Sequence, residues 1–416
     1  MTTIYYAVLA VLLLVGIPLY HTGQTRGKTL LFLGISLVLL AGVSAVRYEV
    51  GDDYYNYMNI FATVRKLPFS DLFSQREPGF FLLNKLVLLF TGHFQWFYAF
   101  MAFVTTALVL LFIYRESKIP FLSVFLYVSM MLYYWSLSLI RQMLAAAVCA
   151  LCVRYIRDRR PLPFLLLVLA AASIHNSALI MLPVYLIAQI PFHWKSVTVI
   201  CAISLVGFIA APSIVAFITQ YIYTGYTPDA HFGQGSALIY GIFPTFVFAA
   251  AWCFKKNLLR QDPSNNVYLN LMLYAAIISL FIARVYIVER FAVYFFLPSI
   301  VLIPNMLATL LPSDAALAAA EKAWQALKTL VGTQHHSARR GLRAQLEKIK
   351  DARLYFGFAV GCVITITLLY HLFGISHGFF GVKDYQTIFS KQPTERFAAS
   401  RALYREYLAE IKYPYE

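Results

Sequence analysis

What this chain has little of is charge. Of its 416 residues only 13% are Asp, Glu, Lys or Arg, while 60% are hydrophobic, and the mean hydropathy is +0.68. A soluble globular domain carries about 25% charged residues, so the composition excludes one and indicates a membrane protein. Cysteine is also scarce. The five cysteines, Cys149, Cys152, Cys201, Cys253 and Cys362, all lie in apolar windows, which implies no disulfide framework. Cys149 and Cys152 are spaced C-x-x-C, but no histidine or second pair lies near, so they read as small packing residues. No Walker A motif, no GxGxxG after a strand and no HExxH occurs, which excludes a soluble nucleotide-binding domain and the familiar zinc sites. His335 and His336 carry no ligand spacing. No metal and no cofactor is expected. There is no internal repeat, no Gly/Ser linker and no low-complexity tract, so residues 1–416 read as a single integral membrane domain. The first apolar run, "IYYAVLAVLLLVGIPLY", lacks a basic flank and a cleavage pattern and reads as a retained span.

What is present in quantity is long apolar runs separated by basic loops. A spanning helix needs about 20 mostly apolar residues, and lysine and arginine concentrate on the cytoplasmic side. The formal net charge of +15 is therefore read as loops held against anionic headgroups rather than as a nucleic-acid surface. The basic clusters are Arg26 and Lys28; Arg115 and Lys118; Arg154, Arg157, Arg159 and Arg160; Lys195; Lys255, Lys256 and Arg260; and the stretch from Lys322 to Arg353. One threading puts them all on one side. Its spans are 3–20, 29–46, 95–114, 119–136, 138–156, 162–174, 177–191, 196–212, 237–254, 267–284, 290–311 and 354–375, an all-α polytopic fold of about 12 transmembrane helices. Both termini then lie outside the cytoplasm. Residues 79–91 read as a re-entrant or interfacial helix within an outer-face loop, 47–94. Residues 213–236 form a second outer loop, and 313–353 a basic, amphipathic cytoplasmic segment. Residues 376–416 place Phe397, Leu403, Tyr404, Tyr407, Leu408 and Ile411 at helical spacing, as an outer-face C-terminal helix.

In this threading the remaining charges gather on the outer face. They are Arg47, Glu49, Asp52 and Asp53 after the second span, Glu77 before the re-entrant helix, Arg141 at the start of the fifth span, His175 between two short spans, Asp229 and His231 in the second loop, and Arg284, Glu289 and Arg290 before the eleventh span. An ionisable group at membrane depth costs roughly 2.5–3.5 kcal/mol on insertion scales and is a functional candidate. Each has a plainer alternative. Arg141, inside "WSLSLIRQMLAAAVCALCV", either snorkels or pairs with a carboxylate, or grips a phosphate with its planar fork. His175, in "ASIHNSALIMLP", either caps a broken helix or accepts a hydroxyl proton near neutral pH. Asp52 and Asp53 read as helix caps or as binders of a cation or a sugar hydroxyl. Glu77, before Pro78, is a cap or the salt-bridge partner of Arg47 or Arg141. Glu289 and Arg290 form an ion pair or a phosphate clamp. The aromatic runs "YYNY" at 54–57, with Tyr54 and Tyr57, and "QYIYTGY" at 220–226 suit the apolar C–H faces of a carbohydrate.

The segments "RYEVGDDYYNY", "REPGF", "IRQMLAAAV", "IHNSALIMLP" and "ERFAVYFF", in this order from about residue 47 to 296, resemble the EpsG-like branch of the Wzy-type polysaccharide polymerases. The segment 313–353 is longer than that family leads one to expect. The resemblance implies a multi-pass enzyme of the bacterial inner membrane that builds O-antigen or exopolysaccharide. It would transfer a growing glycan from undecaprenyl diphosphate to the non-reducing end of another lipid-linked repeat unit, without a nucleotide-sugar donor. The substrate is an undecaprenyl-diphosphate-linked oligosaccharide; membrane lipid and a chain-length regulator or flippase are further partners, and nucleic acid is not. His175 and Arg141 are then the expected catalytic residues. Arg141, Arg290, Arg47 and Arg284 would hold the diphosphate, and Asp52, Asp53, Glu77, Glu289, Tyr54 and Tyr57 would orient the acceptor. The rival readings are a flippase or transporter of lipid-linked saccharide, a glycosyltransferase using a polyprenyl-phosphate sugar, and a scaffold of an export complex. Transporters place charge near the midplane and show repeat symmetry; here charge gathers at one face and no repeat is found.

Overall fold

A computed structural model describes residues 3–221, 238–283, 285, 288–312, 318, 319, 322, 323, 325, 336–390 and 393–410. Apart from one two-residue strand pair, the regular structure among the described residues is helical, as the apolar runs predict. Among the described residues seven helices are long and apolar enough to cross a membrane, or eight when a pair bent by 53° is joined as one span. That is fewer than the 12 expected: 162–174 and 177–191 fall on apolar helices too short to cross alone, and 138–156 and 237–254 fall on helices outside that set.

In chain order the helices are α1 (Thr3–His21), α2 (Arg26–Ala45), α3 (Tyr54–Lys66), α4 (Pro78–Leu88), α5 (Phe94–Glu116), α6 (Pro120–Ser129), α7 (Leu132–Ser138), α8 (Ile140–Arg157), α9 (Pro161–Ile174), α10 (Met181–Ile187), α11 (Trp194–Tyr221), α12 (Leu238–Gln261), α13 (Asn266–Ile282), α14 (Glu289–Phe296), α15 (Ser299–Ala308), α16 (His336–Ser376) and α17 (Ala398–Glu410). A short 3₁₀ segment, Asn176–Ile180, joins α9 to α10. The starts obey local chemistry. Pro78, Pro120 and Pro161 each stand in the first helical turn, where a missing N–H costs nothing. Thr25 caps α2 through its hydroxyl, which accepts from the Lys28 N–H.

Helices α6, α7, α8, α14 and α15 form the centre. α6, α7 and α15 carry no charged residue, and α8 and α14 carry theirs near their ends, so burial of the apolar stretches on all sides is the stable placement. Leu122, Val124, Phe125, Tyr133, Met143, Ala147, Val293 and Ile300 are fully buried there. Around them α2 packs on α5, α8 on α9 and α12 on α13. A second apolar cluster joins α3, α4, α5 and α17 through Tyr54, Phe61, Phe80, Phe97, Tyr98 and Tyr404. α16 runs for 41 residues, so the basic stretch from residue 336 continues without a break into the last apolar run.

The C-terminal region is tied to the loop after α2. β1 (Arg47–Tyr48) pairs antiparallel with β2 (Gln386–Thr387). Glu49 has a fully buried side chain and a left-handed backbone, φ +50°. Its carboxylate accepts from Arg401 Nε at 2.7 Å, from the Thr394 N–H at 2.8 Å, and from the Tyr55 hydroxyl at 2.7 Å. Burial alone would raise the Glu49 carboxyl, but these donors hold it below the usual range. Gly51, at φ +97°, lets the loop press against the α7–α8 junction; a side chain there would collide with the Leu137 carbonyl.

Candidate active site

Glu77 is the hub of the site. It precedes Pro78 and does not cap α4 with its side chain. One carboxylate oxygen, Oε2, accepts from Arg141 Nη1 at 2.6 Å. The other, Oε1, lies 2.8 Å from His175 Nδ1 and accepts the Asn176 N–H at 3.0 Å. The Glu77 side chain is 8% exposed, and those of Arg141 and His175 are 25% and 14% exposed. Burial pushes the Glu77 carboxyl up, but the His175 hydrogen bond and the Arg141 charge outweigh it and hold the group below the usual carboxylate range. Glu77 is therefore an anion. An ionised carboxylate only accepts, so His175 donates from Nδ1 and, when neutral, carries its lone pair on Nε2.

Three local features set this geometry. His175 ends α9, its backbone N–H bonded to the Ala171 carbonyl, so the imidazole leaves the helix where the chain turns into the 3₁₀ segment. Gly79 lets the start of α4 lie against the end of α9; a Cβ there would collide with the Ser173 side chain. Arg141 is the second residue of α8, and its backbone N–H donates to the Tyr57 hydroxyl at 3.3 Å. Its guanidinium stacks over Phe80 and Tyr57, 5.3 and 5.8 Å from the ring centroids, contacts worth about 0.5–2 kcal/mol each. Arg141 Nε is buried without a hydrogen-bond partner, so the fork keeps donor capacity beyond the Glu77 bond.

Asp53 and Arg290 flank this trio. Burial raises the Asp53 carboxyl above its usual value; the Arg141 and Arg290 charges oppose that and Asp52 adds to it. Arg290 is exposed, and its carbonyl accepts from Gln142 Nε2 at 2.6 Å, which fixes the start of α14 to the start of α8. The Ser177 and Tyr294 hydroxyls, 2.9 Å apart, tie α14 to the 3₁₀ segment. The N-terminal ends of α3, α4, α8 and α14 thus meet around Glu77, Arg141 and His175, and their dipoles favour an anion among them.

The remaining expected residues are placed elsewhere. Arg47 is 1% exposed; it bonds Ser44 Oγ at 2.6 Å and packs 4.6 Å from the Tyr98 centroid, among tyrosines and away from Arg141. Tyr54 is buried against Tyr98. Asp52 is turned to the C-terminal region: it pairs with Arg396, and its other oxygen accepts from Ser138 Oγ at 3.2 Å. Neither aspartate caps α3 through its side chain. Glu289 lines a separate small cleft with Trp135, Tyr370 and Phe380. Arg284, Asp229 and His231 lie outside the described residues. Among the described residues no group of three or more His, Cys, Asp or Glu could hold a metal ion.

Sequence reasoning misses Gln142, Asn176 and the Glu49–Arg401 pair. Gln142 stands beside Arg141 in the same apolar run, and that anomaly is its only signal. Arg401 sits on a polar helix far along the chain and gives none.

Fold and site together define a multi-pass α-helical membrane protein with an acid–base cluster where four helices begin. The EpsG family model matches residues 30–316, which takes in every member of that cluster, and the chain belongs to the EpsG family, whose members are related to Wzy-type polymerases. Membership makes it a membrane protein of polysaccharide biosynthesis. No curated protein and no solved structure matches it.

Proposed function

We propose that this protein is a Wzy-type polymerase of the bacterial inner membrane, joining lipid-linked repeat units on the outer face. The donor is a growing glycan whose anomeric carbon is esterified to undecaprenyl diphosphate. The acceptor is a hydroxyl at the non-reducing end of a second undecaprenyl-diphosphate-linked unit. His175 Nε2 takes the hydroxyl proton as the oxygen attacks the anomeric carbon, and the carbon–oxygen bond to the diphosphate breaks. Negative charge then builds on the departing diphosphate, and Arg141 receives it with Arg290 in support. Electrostatic groups fixed in a low-dielectric site stabilise such charge strongly. Glu77 holds the imidazole by Nδ1 and the guanidinium by Nη1, so it orients the base and the anion-binding group together. Asp53 and Tyr57 bear on Arg141 from α3.

The observation that carries this reading is the bridging of Arg141 and His175 by one buried carboxylate. A purely structural arginine is satisfied by one acid; here the acid also fixes a histidine tautomer with a free Nε2. The test is the lipid-linked saccharide profile of a deletion strain. Single repeat units should accumulate, wild-type protein should restore long polymer, and His175→Ala protein of equal abundance should not. Polymer of normal length from the His175→Ala strain would refute the proposal.

A further inference from the structure

A large cavity lies at the end opposite the candidate active site. α8 carries Arg141 at one end and Arg157 at the other, about 25 Å away along 18 residues. At the Arg157 end, Arg157 pairs with Glu116 and with Asp262, 2.9 Å away, next to the end of α12. Beside this network a cavity of about 1530 Å³ opens between α1, α6, α12 and α16. It is larger than the ~300–1,000 Å³ of an ordinary small-molecule pocket.

Its wall and its mouth differ in chemistry. One part of the wall is apolar, with Ile17, Phe121, Phe356, Val360 and Ile364, and His21, Gln24, Asn257 and Gln261 line the part nearer the cations. Gly357 and Gly361, one turn apart on α16, also face it, and a Cβ on either would meet no atom within 4 Å. The absence of side chains there keeps the wall open. The mouth carries Lys118, Arg260 and Arg353, and among the described residues no Asp or Glu lines the cavity. None of the three cations forms a salt bridge with a described carboxylate, although the neighbouring Arg157 has two.

We infer that this cavity is a binding site for an anionic diacyl phospholipid, with the acyl chains between α1 and α16 and the phosphate at Lys118, Arg260 and Arg353. An apolar opening between membrane helices is filled by hydrocarbon, so acyl chains are the natural occupant of the wall. Three cations at its mouth, none neutralised by a described carboxylate, select the headgroup, because each juxtamembrane Lys or Arg favours an anionic lipid. These are the loops that the basic-residue pattern assigns to the cytoplasmic side.

The experiment needs no glycan substrate. Purified full-length protein is exchanged into nanodiscs of phosphatidylcholine containing a small fraction of phosphatidylglycerol. Co-purified lipid is then counted by mass spectrometry after mild delipidation. Wild-type protein should retain phosphatidylglycerol over phosphatidylcholine, on the order of 100-fold at low salt, the factor that three such cations supply. The preference should fall steeply at high salt. Lys118→Ala/Arg260→Ala/Arg353→Ala protein should lose it, and Gly361→Leu protein, which keeps the charges, should lose retained lipid of both kinds. Inorganic phosphate at millimolar concentration should not compete, since it has no acyl chains. Equal retention of the two lipids by wild-type protein would overturn the inference, as would a preference that survives both the triple substitution and high salt. The wild-type salt titration decides the matter even if a variant fails to fold.

Discussion

Arg141 and His175 are held by opposite oxygens of the same carboxylate, Nη1 on Glu77 Oε2 and Nδ1 on Oε1. Glu77→Gln preserves shape but offers only one acceptor, and its amide would face one donor with another. Chain extension should fall by roughly 10²–10⁴-fold, the range for a general base that loses its orienting partner. Initial rates with lipid-linked repeat units in proteoliposomes would check this; a loss smaller than tenfold would reduce Glu77 to a structural acid.

Arg141→Lys keeps the charge and loses the planar fork. It should insert and accumulate normally yet extend chains at least about 100-fold more slowly. Arg141→Ala should in addition lower stability by roughly 1–3 kcal/mol, because it leaves the buried Glu77 anion without its cation, with only the imidazole and the Asn176 N–H. Denaturation in detergent, run beside the rate assay, separates the two effects.

The two acids of the site respond to pH with opposite sign. The lowered Glu77 pKa means that its interactions stabilise the fold above the usual 4.5 and fade as pH falls through its depressed value. The raised Asp53 pKa means that its ionisation opposes folding at neutral pH, and that this opposition disappears below the usual 3.8. Asp53→Asn protein should therefore melt above wild type at pH 7 and together with it near pH 3.5. A variant that melts below wild type at pH 7 would mean that attraction to Arg141 and Arg290 outweighs burial.

Arg401→Ala should destabilise the loop between α2 and α3 by roughly 3 kcal/mol, because it strips the main charge partner from the buried Glu49. Limited proteolysis between residues 46 and 57 should become faster. Polymer yield should drop with it, since the same loop carries Asp53 and leads into Tyr57. Glu49→Gln made together with Arg401→Ala should be milder than the sum of the two single changes.

Membrane threading has its own test. In a background without the exposed Cys201 and Cys253, single cysteines at 52 and 229 should react with an impermeant reagent from outside. Cysteines at 157 and 340 should react only after the membrane is opened. Labelling of 157 from outside would invert the orientation proposed for the site.

The helix content and the place of most apolar runs can be read from the sequence, because a run such as 95–114 must bury or face lipid along its whole length. The limits are less legible, and residues 213–221, expected to open the second outer loop, continue α11. Glu77, Arg141 and His175 are legible for the same reason: charged groups among apolar neighbours must find partners. Their mutual arrangement is not. Nothing in the spacing of 77, 141 and 175 fixes which acid bridges which bases. That depends on Gly79 closing on Ser173 and on α8 beginning at residue 140. Arg47 shows the limit of reasoning from charge alone. It resembles Arg141 in sequence, yet a ring of tyrosines takes it out of the cluster. The Asp52–Arg396 and Glu49–Arg401 pairs join positions more than 340 residues apart, a separation at which one sequence gives no pairing signal.

The length of α16 has a mechanical consequence. Forty-one residues at about 1.5 Å each make a rod of about 60 Å, twice the ~30 Å of a bilayer's hydrocarbon. The surplus falls at the arginine- and lysine-rich end, N-terminal to the apolar run. An antibody fragment or soluble factor gripping that end would hold a lever continuous with Arg353, Phe356 and Val360 in the wall of the cavity.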